Sequence, residues 1–329
     1  MVTISDIARL SGVAKSTVSR FLNGGSVGSH TKEKIEKVIR ETGYVPNSFA
    51  QSLKAKRPNM IGTVVPRLDS YASSRTLMGI DEQLRSMDFD MLILNSSRDP
   101  HREVENLYSF ARQKVAGIIL LATEIDGEHV AAFKSLQVPL ILVGQQYPGI
   151  YSIIHDDESS AYDLGRLVLL KGHRRIAFLG VSEKDVAVGV GRKKGFKRAA
   201  EQCSDAEVVY YETGFGIEEA QQTAVEVIQS ACPTVFVCAT DNIALGVLKA
   251  ANRLGFKVPD DFSITGFGGY EIAGIVHPGL TTVKFFYKET GKMAASSIIK
   301  LVNGQPVEQV MHSQYEIIER ESLDIPQVN

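Results

Sequence analysis

Several side chains near the start of the sequence could donate hydrogen bonds to a polyanion. Lys15, Ser16 and Arg20 lie within the stretch KSTVSRFLN. A guanidinium can make two parallel hydrogen bonds to a guanine, and short hydroxyls suit phosphate oxygens. On these grounds we predict DNA contacts in this part of the chain, made by Thr3, Ser5, Lys15, Ser16, Thr17, Ser19, Arg20 and Asn23.

The distribution of charge agrees with a polyanion partner for the start of the chain only. Residues 1–60 hold ten basic and four acidic residues, a net charge of +6, whereas the remaining 269 residues hold 26 basic and 34 acidic ones, a net charge of −8. A basic surface of this kind attracts nucleic acid. Charge alone is equally compatible with a solvated basic face that binds nothing.

Helices must position these side chains. Thr3 followed by Asp6 favours a helix start, because both side chains can bond free backbone N–H groups, and Gly12 favours a helix end. A second helix over residues 14–22 and a third beginning at Thr31 complete a helix-turn-helix pattern, in which the second helix enters the major groove of DNA. The alternative is a small helical bundle without a ligand.

A further short helix is predicted over residues 49–56, between two prolines. Pro46 biases the residue before it away from helix, and Pro58 ends the segment. A helix of about two turns is marginal alone in water. We therefore expect it to form against a partner such as DNA.

From Ile61 onward, short apolar strands alternate with helices. This alternation predicts parallel sheets with helices on both faces, arranged as two doubly wound lobes. Ligands of such sheets bind beyond the carboxyl ends of the strands. The predicted ligand site is therefore the cleft between the lobes.

The head carries the segments TISDIARLSGVAKSTVSRFLN, then Y-x-P-N, A-x-x-L and I-G in order. These motifs resemble the lactose/galactose-repressor (LacI/GalR) family of transcriptional regulators. The resemblance implies a homodimer on a two-half-site operator, with the short helices of two subunits paired in the minor groove. It also adds three residues to the predicted DNA contacts, namely Asn47, Ala50 and Leu53, the last as a wedge between bases.

The body carries further motifs, LGRLVLLKGHRRIAFLG, the R-x-x-G-F that begins at Arg192, ATDNIALG and the final ERESL. They resemble the same family, whose body is similar to periplasmic sugar-binding proteins. The implied fold is an all-α helix-turn-helix head followed by two α/β lobes of periplasmic-binding-protein type. Three chain crossings between the lobes are expected, near Ser159, Phe286 and Gln314.

The resemblance also implies a small sugar or sugar-phosphate effector in the cleft. Arg192 and Asp241 are the leading candidates to bind it, because a guanidinium and a carboxylate suit polyol hydroxyls. The predicted effector-binding residues are Asp69, Tyr71, Ser73, Asn95, Arg98, Arg192, Phe215, Asp241 and Tyr270, with Ser74 and Gln145 as further candidates.

One segment departs from the family pattern. Family members usually carry an Asp after Gly-Phe or Gly-Tyr, whereas this chain reads GFGGYE over residues 266–271. Either that contact is lost, or Tyr270 or Glu271 replaces it. Together with VPRLDSYAS, the variant resembles repressors of sucrose operons, which implies an effector such as sucrose or a derived sugar. Nearby arginines that could receive a phosphate are Arg67, Arg75 and Arg98.

These patterns divide the chain into a helix-turn-helix domain over residues 1–46, a hinge over 47–59 and an effector-binding and dimerisation domain over 60–329.

No loop pattern for a nucleotide cofactor and no nucleophile elbow follows the first strand, and the three cysteines lack metal-ligand spacing. We therefore predict no enzyme, no cofactor and no metal site. No apolar run is long enough to span a membrane and no signal peptide is present, so we expect a cytoplasmic protein.

Two other functions stay open. A global catabolite regulator of the same family would be controlled by a phosphocarrier protein instead of a sugar. A sugar-binding transport protein would share the fold of the body, but it would need a signal peptide and would not carry a helix-turn-helix.

We predict that Leu53→Ala weakens operator binding by about tenfold, or ~1.4 kcal/mol, and reduces DNA bending. The reason is that an apolar wedge kinks the duplex and thereby brings more surface into contact. Gel-shift assays with circularly permuted operator fragments measure affinity and bending together. Unchanged values for both would contradict the wedge.

Overall fold

The chain folds as two units. This computed structural model describes residues 2–22, 25–44 and 58–327. Its contacts divide the chain into Met1–Asn59, the head, and Met60–Asn329, the body.

In the head, the described helices are α1 (Ile4–Ser11), α2 (Lys15–Leu22) and α3 (Ser29–Thr42). They enclose a small apolar core made by Ile7, Ala8, Val18, Ile35 and Val38. The apolar residues are spaced by three or four along each helix, so they share one face. The helix-turn-helix prediction is confirmed for this part of the chain.

The ends of these helices follow from their capping residues. Thr3 accepts a hydrogen bond from the Asp6 amide, and the Asp6 carboxylate accepts one from the Thr3 amide at 3.0 Å. Gly12 ends α1 in the left-handed region at φ 66°. The third helix begins two residues earlier than predicted, because Gly28 is its extended N-cap and the Gly28 carbonyl accepts from the Lys32 amide at 3.0 Å.

The body consists of two α/β lobes. Lobe 1 contains β1 (Met60–Val65), α4 (Tyr71–Arg85), β2 (Asp90–Asn95), α5 (Pro100–Gln113), β3 (Gly117–Leu121), α6 (Gly127–Ser135), β4 (Leu140–Val143), β5 (Tyr151–His155), α11 (Tyr287–Val302) and β11 (Val310–Ser313). Lobe 2 contains α7 (Asp157–Leu170), β6 (Arg175–Gly180), a π-helix (Val186–Gly191), α8 (Arg192–Ala200), β7 (Glu207–Glu212), α9 (Ile217–Ala231), β8 (Val235–Cys238), α10 (Asp241–Leu254), β9 (Ser263–Gly268), a 3₁₀ turn (Glu271–Gly274), β10 (Thr281–Phe285) and β12 (Tyr315–Ile318).

Each lobe is built on one sheet. The strand order is β11-β5-β4-β3-β1-β2 in lobe 1 and β12-β10-β9-β8-β6-β7 in lobe 2. The strands pair in parallel, as in the register Ile61 with Gly117, except that β12 runs antiparallel to β10. The order reverses between β1 and β3 and between β6 and β8, which creates a crevice at the carboxyl ends of these strands. The predicted doubly wound fold is confirmed.

The chain passes between the lobes three times. The crossings fall at Asp156, between β5 and α7, at Phe286, between β10 and α11, and at Gln314, between β11 and β12. Two lie at the predicted residues. The first lies three residues before Ser159, because α7 starts at once on the lobe 2 side.

A close contact between α4 and α11 holds one face of lobe 1 together. A Cβ added at Gly79 would lie 1.9 Å from the Lys288 carbonyl oxygen, and one at Gly291 would lie 2.1 Å from the Thr76 carbonyl oxygen. Backbone therefore occupies the space that a side chain would need at both positions. The absence of a side chain at these two glycines lets the helices approach.

We expect Gly79→Ala to destabilise the body by about 1–3 kcal/mol, because the new methyl group forces the helices apart. The matched control is Gly127→Ala, since a Cβ at Gly127 meets nothing within 4 Å at the start of α6. Differential scanning calorimetry should show a melting temperature lowered by several degrees for the first variant only. Equal melting temperatures would contradict the close contact.

Candidate functional site

The exposed side of α2 presents the donor side chains predicted for DNA. Lys15, Ser16 and Arg20 are exposed, whereas Val18 on the same helix is buried in the core of the head. This division follows from the helical period, because residues two positions apart, such as 16 and 18 or 18 and 20, point to nearly opposite sides of the helix. The geometry leaves the three polar side chains accessible to a duplex.

The other predicted head contacts differ in their surroundings. Ser5 is exposed, and Thr17 and Ser19 are half-buried. The Thr3 hydroxyl donates to the Asp6 carboxylate at 2.7 Å, so it already serves the helix cap. Four predicted DNA contacts lie outside the described residues, as does the predicted hinge helix: Asn23, Asn47, Ala50 and Leu53.

A cavity of about 190 Å³ lies between the two lobes. It is lined by the segments that follow β1 to β4 in lobe 1 and by the segments around the π-helix and β9 in lobe 2. These are the carboxyl ends of parallel strands, where the fold predicts a ligand site. We refer to it as the inter-lobe cavity.

Arg192 is the most tightly held cation of the cavity wall. It is 4% exposed, its Nε donates to Asp157 Oδ1 at 2.8 Å, and its Nη1 donates to the Ala239 carbonyl at 2.6 Å. The guanidinium carbon lies 5.2 Å and 4.9 Å from the ring centroids of Phe267 and Phe285. Among the described residues, Nη2 makes no hydrogen bond. That nitrogen is therefore available to a ligand.

Two titratable groups beside Arg192 have shifted pKa values. Burial raises the pKa of the Asp185 carboxyl, which accepts from the Val188 amide at 2.9 Å. Burial and the nearby Arg192 charge lower the pKa of His155 to about 3. His155 is therefore neutral at physiological pH, and its Nδ1 lies 2.6 Å from the Ser313 hydroxyl.

The structure does not bring Asp241 to the cavity, contrary to the prediction. Its side chain is fully buried, and its carboxylate accepts from the Thr282 hydroxyl at 2.5 Å and from the Tyr270 amide at 2.7 Å. These protein donors already occupy both oxygens. Its neighbours Thr240 and Asn242 line the cavity instead.

Most of the predicted lobe 1 residues do line the cavity, namely Asp69, Tyr71, Ser73 and Arg98. Of the two further candidates, Gln145 lines it and Ser74 does not. Asn95 does not line it either, because its side chain bonds the amide and hydroxyl of the nearby Ser97. Asp69 also accepts two hydrogen bonds from Arg67, both at 2.7 Å.

Tyr270 lines the cavity wall, in the segment where family members usually carry an aspartate. Gly268 and Gly269 have φ values of 138° and 65°, and this backbone returns the tyrosine ring to the cleft. The ring stacks on Tyr71 of lobe 1 with centroids 4.4 Å apart. Glu271 instead forms an ion pair with Arg75.

Comparisons with known proteins identify the family. The profile of bacterial regulatory proteins of the lacI family matches residues 3–47, and that of the periplasmic binding protein-like domain matches residues 167–323. The sucrose operon repressor of Staphylococcus xylosus is 37% identical over 311 residues, which cover 94% of this chain and 96% of that protein.

The chain belongs to the LacI family. It is a DNA-binding transcriptional repressor. Catabolite control protein A of Priestia megaterium is 29% identical over 93% of the repressor and 94% of that protein. The lac repressor dimer bound to operator and the anti-inducer ONPF has a TM-score of 0.89 and 25% identity, with 98% of each chain covered.

Within the described part of the repressor, no helix is long and apolar enough to cross a membrane, and no cluster of His, Cys, Asp or Glu could hold a metal ion.

Several residues that line the cavity were not predicted from the sequence as effector-binding residues. Asp157 was not among the predicted residues, and Arg67 was predicted only as a residue that could receive a phosphate. His155 and Asp185 were not among the predicted residues either: His155 ends β5 directly before the first crossing, and Asp185 precedes a π-helix that the sequence did not predict.

The burial of Asp241 generates a pH prediction. Its pKa is raised from 3.8 to about 6, chiefly by burial. A carboxyl with a raised folded pKa stabilises the fold below its unfolded pKa, and this contribution is lost as pH rises through the folded pKa. Asp241→Asn does not ionise, and it can keep both contacts if its oxygen accepts from the Tyr270 amide and its amide nitrogen donates to the Thr282 hydroxyl. The variant should therefore gain stability relative to the native protein between about pH 4 and pH 6, by a few degrees in melting temperature.

Thermal melts of the full chain at each pH measure this difference. Buried histidines also titrate near this range, with pKa values lowered to about 3 for His155 and about 4 for His173, but they act equally in both proteins. The control Asp90→Asn changes an exposed carboxylate. A difference that does not vary with pH would contradict the ionisation of Asp241 in the fold.

Proposed function

We propose that the repressor binds an operator as a homodimer and that a neutral saccharide in the inter-lobe cavity modulates this binding. The observation that carries the proposal is Arg192 at the wall of the cavity between the two lobes: its Nε donates to Asp157, and its Nη2 makes no hydrogen bond among the described residues. The solved lac repressor dimer bound to operator supports the DNA and dimer parts. The operator of a bacterium lies in the cytoplasm, so we assign the repressor to that compartment and assign it no enzymatic activity.

The charges of the cavity favour a neutral ligand over a phosphorylated one. Three arginines and three aspartates line it, and His155 is neutral because its pKa is lowered to about 3. Two of the arginines are already paired, Arg67 with Asp69 and Arg192 with Asp157. A dianionic phosphate would add two negative charges to a lining whose arginine and aspartate charges already cancel. Sugar hydroxyls add no charge, and they can accept from an arginine and donate to a carboxylate.

The remaining walls suit the faces of a sugar ring. Tyr71, Tyr270 and Phe215 provide aromatic surface, and Gln145 and Asn242 provide amides that both donate and accept. Ligand pockets combine apolar walls with a few placed polar groups in this way. The relationship to the Staphylococcus xylosus protein supports sucrose, or a sugar derived from it, as the effector and a sucrose-utilisation operon as the target.

Thermal-shift and calorimetric titrations of the full chain test the proposal. We expect binding of sucrose, fructose or another neutral sugar, and weaker binding of its phosphorylated form. The same ligand should change the affinity of the repressor for its operator in a fluorescence-anisotropy assay. If no sugar binds and a phosphorylated phosphocarrier protein instead changes operator affinity, the proposal is wrong and the catabolite-regulator alternative replaces it.

Arg192→Lys should weaken binding of the effector by about tenfold or more, because a hydrogen bond from a charged donor contributes about 1.5–3 kcal/mol. Operator affinity without effector should stay unchanged. The matched control is Lys197→Gln, an exposed cation on the same helix α8, which should bind the effector as the native protein does. Native effector affinity in Arg192→Lys would exclude a direct contact.

A further inference from the structure

A chain of three ionic groups lies in lobe 1, outside the inter-lobe cavity, and two of the three are buried while Asp126 is part-exposed. Glu103 on α5 is 2% exposed and His129 on α6 is fully buried. His129 Nε2 lies 3.2 Å from Glu103 Oε1, and its Nδ1 lies 2.8 Å from Asp126 Oδ1. Buried charges are retained when they are paired and hydrogen-bonded, so these three side chains form one unit.

The geometry of this chain favours a protonated imidazole. A neutral His129 could donate to only one carboxylate and would turn a lone pair toward the other, whereas the imidazolium donates to both. In the neutral form, Nδ1 could accept from the Asp126 amide, but only at 3.5 Å. Glu103 and Asp126 together raise the pKa of His129 above 6.5, although its burial acts in the opposite direction.

The chain ends at the segment that carries Arg98 to the cavity. The hydroxyl of Ser96, a fully buried residue, lies 3.2 Å from Glu103 Oε2, and the Val65 carbonyl at 3.3 Å is the alternative acceptor for its single proton. Ser97 and Arg98 follow with φ values of 56° and 60°. Non-glycine residues occupy this left-handed region at an energetic cost, so the surrounding structure must hold them there.

Arg98 itself has few side-chain contacts that could fix it. Among the described residues its guanidinium makes no hydrogen bond or ion pair, and it lies over the Phe215 ring of lobe 2 at 4.4 Å. Its place in the cavity wall therefore depends on its backbone. That backbone is bonded through the Arg98 amide to the Pro66 carbonyl at 3.1 Å and through the Asp99 amide to the Ser96 carbonyl at 3.1 Å.

We propose that Glu103, His129 and Asp126 are positioning residues for Arg98, and that loss of the His129 proton loosens the Arg98 segment and weakens effector binding. The last step depends on the proposed function; the loosening does not. A neutral His129 that keeps its proton on Nδ1, toward Asp126, leaves Glu103 Oε1 without its donor in a buried site, which strains the Glu103 contact to Ser96.

The charged groups around His129 come from each neighbouring element. Glu103 lies on α5, Asp126 precedes α6, and Glu128 lies on α6 beside the histidine. Glu128 is itself paired with the exposed His101 at 2.8 Å, and this contact raises the pKa of His101. His101 can therefore titrate in the same range, and it needs its own control.

Hydrogen exchange of the full chain without ligand tests the positioning step. The amides of residues 96–99 should be protected at pH 6 and should lose about fivefold or more of that protection by pH 9, after correction for the intrinsic exchange rate. His129→Gln and Glu103→Gln should show low protection that does not vary with pH. His101→Gln should keep the native profile. A flat native profile, or a native slope in His129→Gln, would overturn the proposal.

Calorimetric titration with the sugar found to bind tests the second step. The native affinity should fall as pH rises from 6 to 9, while Arg98→Gln should bind more weakly at every pH and without this slope. The Arg98→Gln comparison also keeps the test decisive if the His129 or Glu103 variants do not fold. If the protection of residues 96–99 depends on pH but no sugar binds, only the proposed function is wrong. If a sugar binds the native protein with an affinity that does not vary with pH, the link from His129 to the effector is wrong.

Discussion

The inter-lobe cavity depends on the buried ion pair of Arg192 and Asp157. A guanidinium out of water needs partners for its donors, and breaking such a pair costs about 3–5 kcal/mol. Asp157 starts α7 directly after the first crossing, and Arg192 starts α8 after the π-helix. The two helices approach closely, since a Cβ at Gly195 would lie 2.0 Å from the Glu158 carbonyl oxygen. The pair therefore orients a free donor and joins two helix starts at once.

Local backbone freedom decides which side chain takes the other wall of the cavity. With two positive φ angles at Gly268 and Gly269, the Tyr270 amide turns to the Asp241 carboxylate and the Tyr270 ring turns to Tyr71. A buried carboxylate is thereby satisfied by the protein, and an aromatic surface faces the cleft in its place. This exchange replaces a charge at the wall by a ring, which agrees with a cavity whose lining charges balance.

Much of the fold follows from local patterns in the sequence. The Thr3–Asp6 cap, the turn at Gly12 and the alternation of apolar strands with helices each involve neighbours within a few residues, so the helix-turn-helix and the doubly wound lobes could be predicted. Arg192 was predicted because its R-x-x-G-F motif resembles the family, and its side chain does line the cavity. Boundaries such as the start of α3 were less certain, since a glycine N-cap leaves no side-chain signal.

The sequence by itself determined the kind of fold, the basic head and the edge of the sheets at which a ligand must bind. Only the tertiary structure decided which side chains face that ligand. Asp241 is withdrawn by Thr282, a residue far away in the sequence, while His155 and Asp185 enter through a crossing and a π-helix. The physical reason is that a polar side chain turns to whichever partner satisfies it, and those partners meet only when the sheets and lobes have assembled.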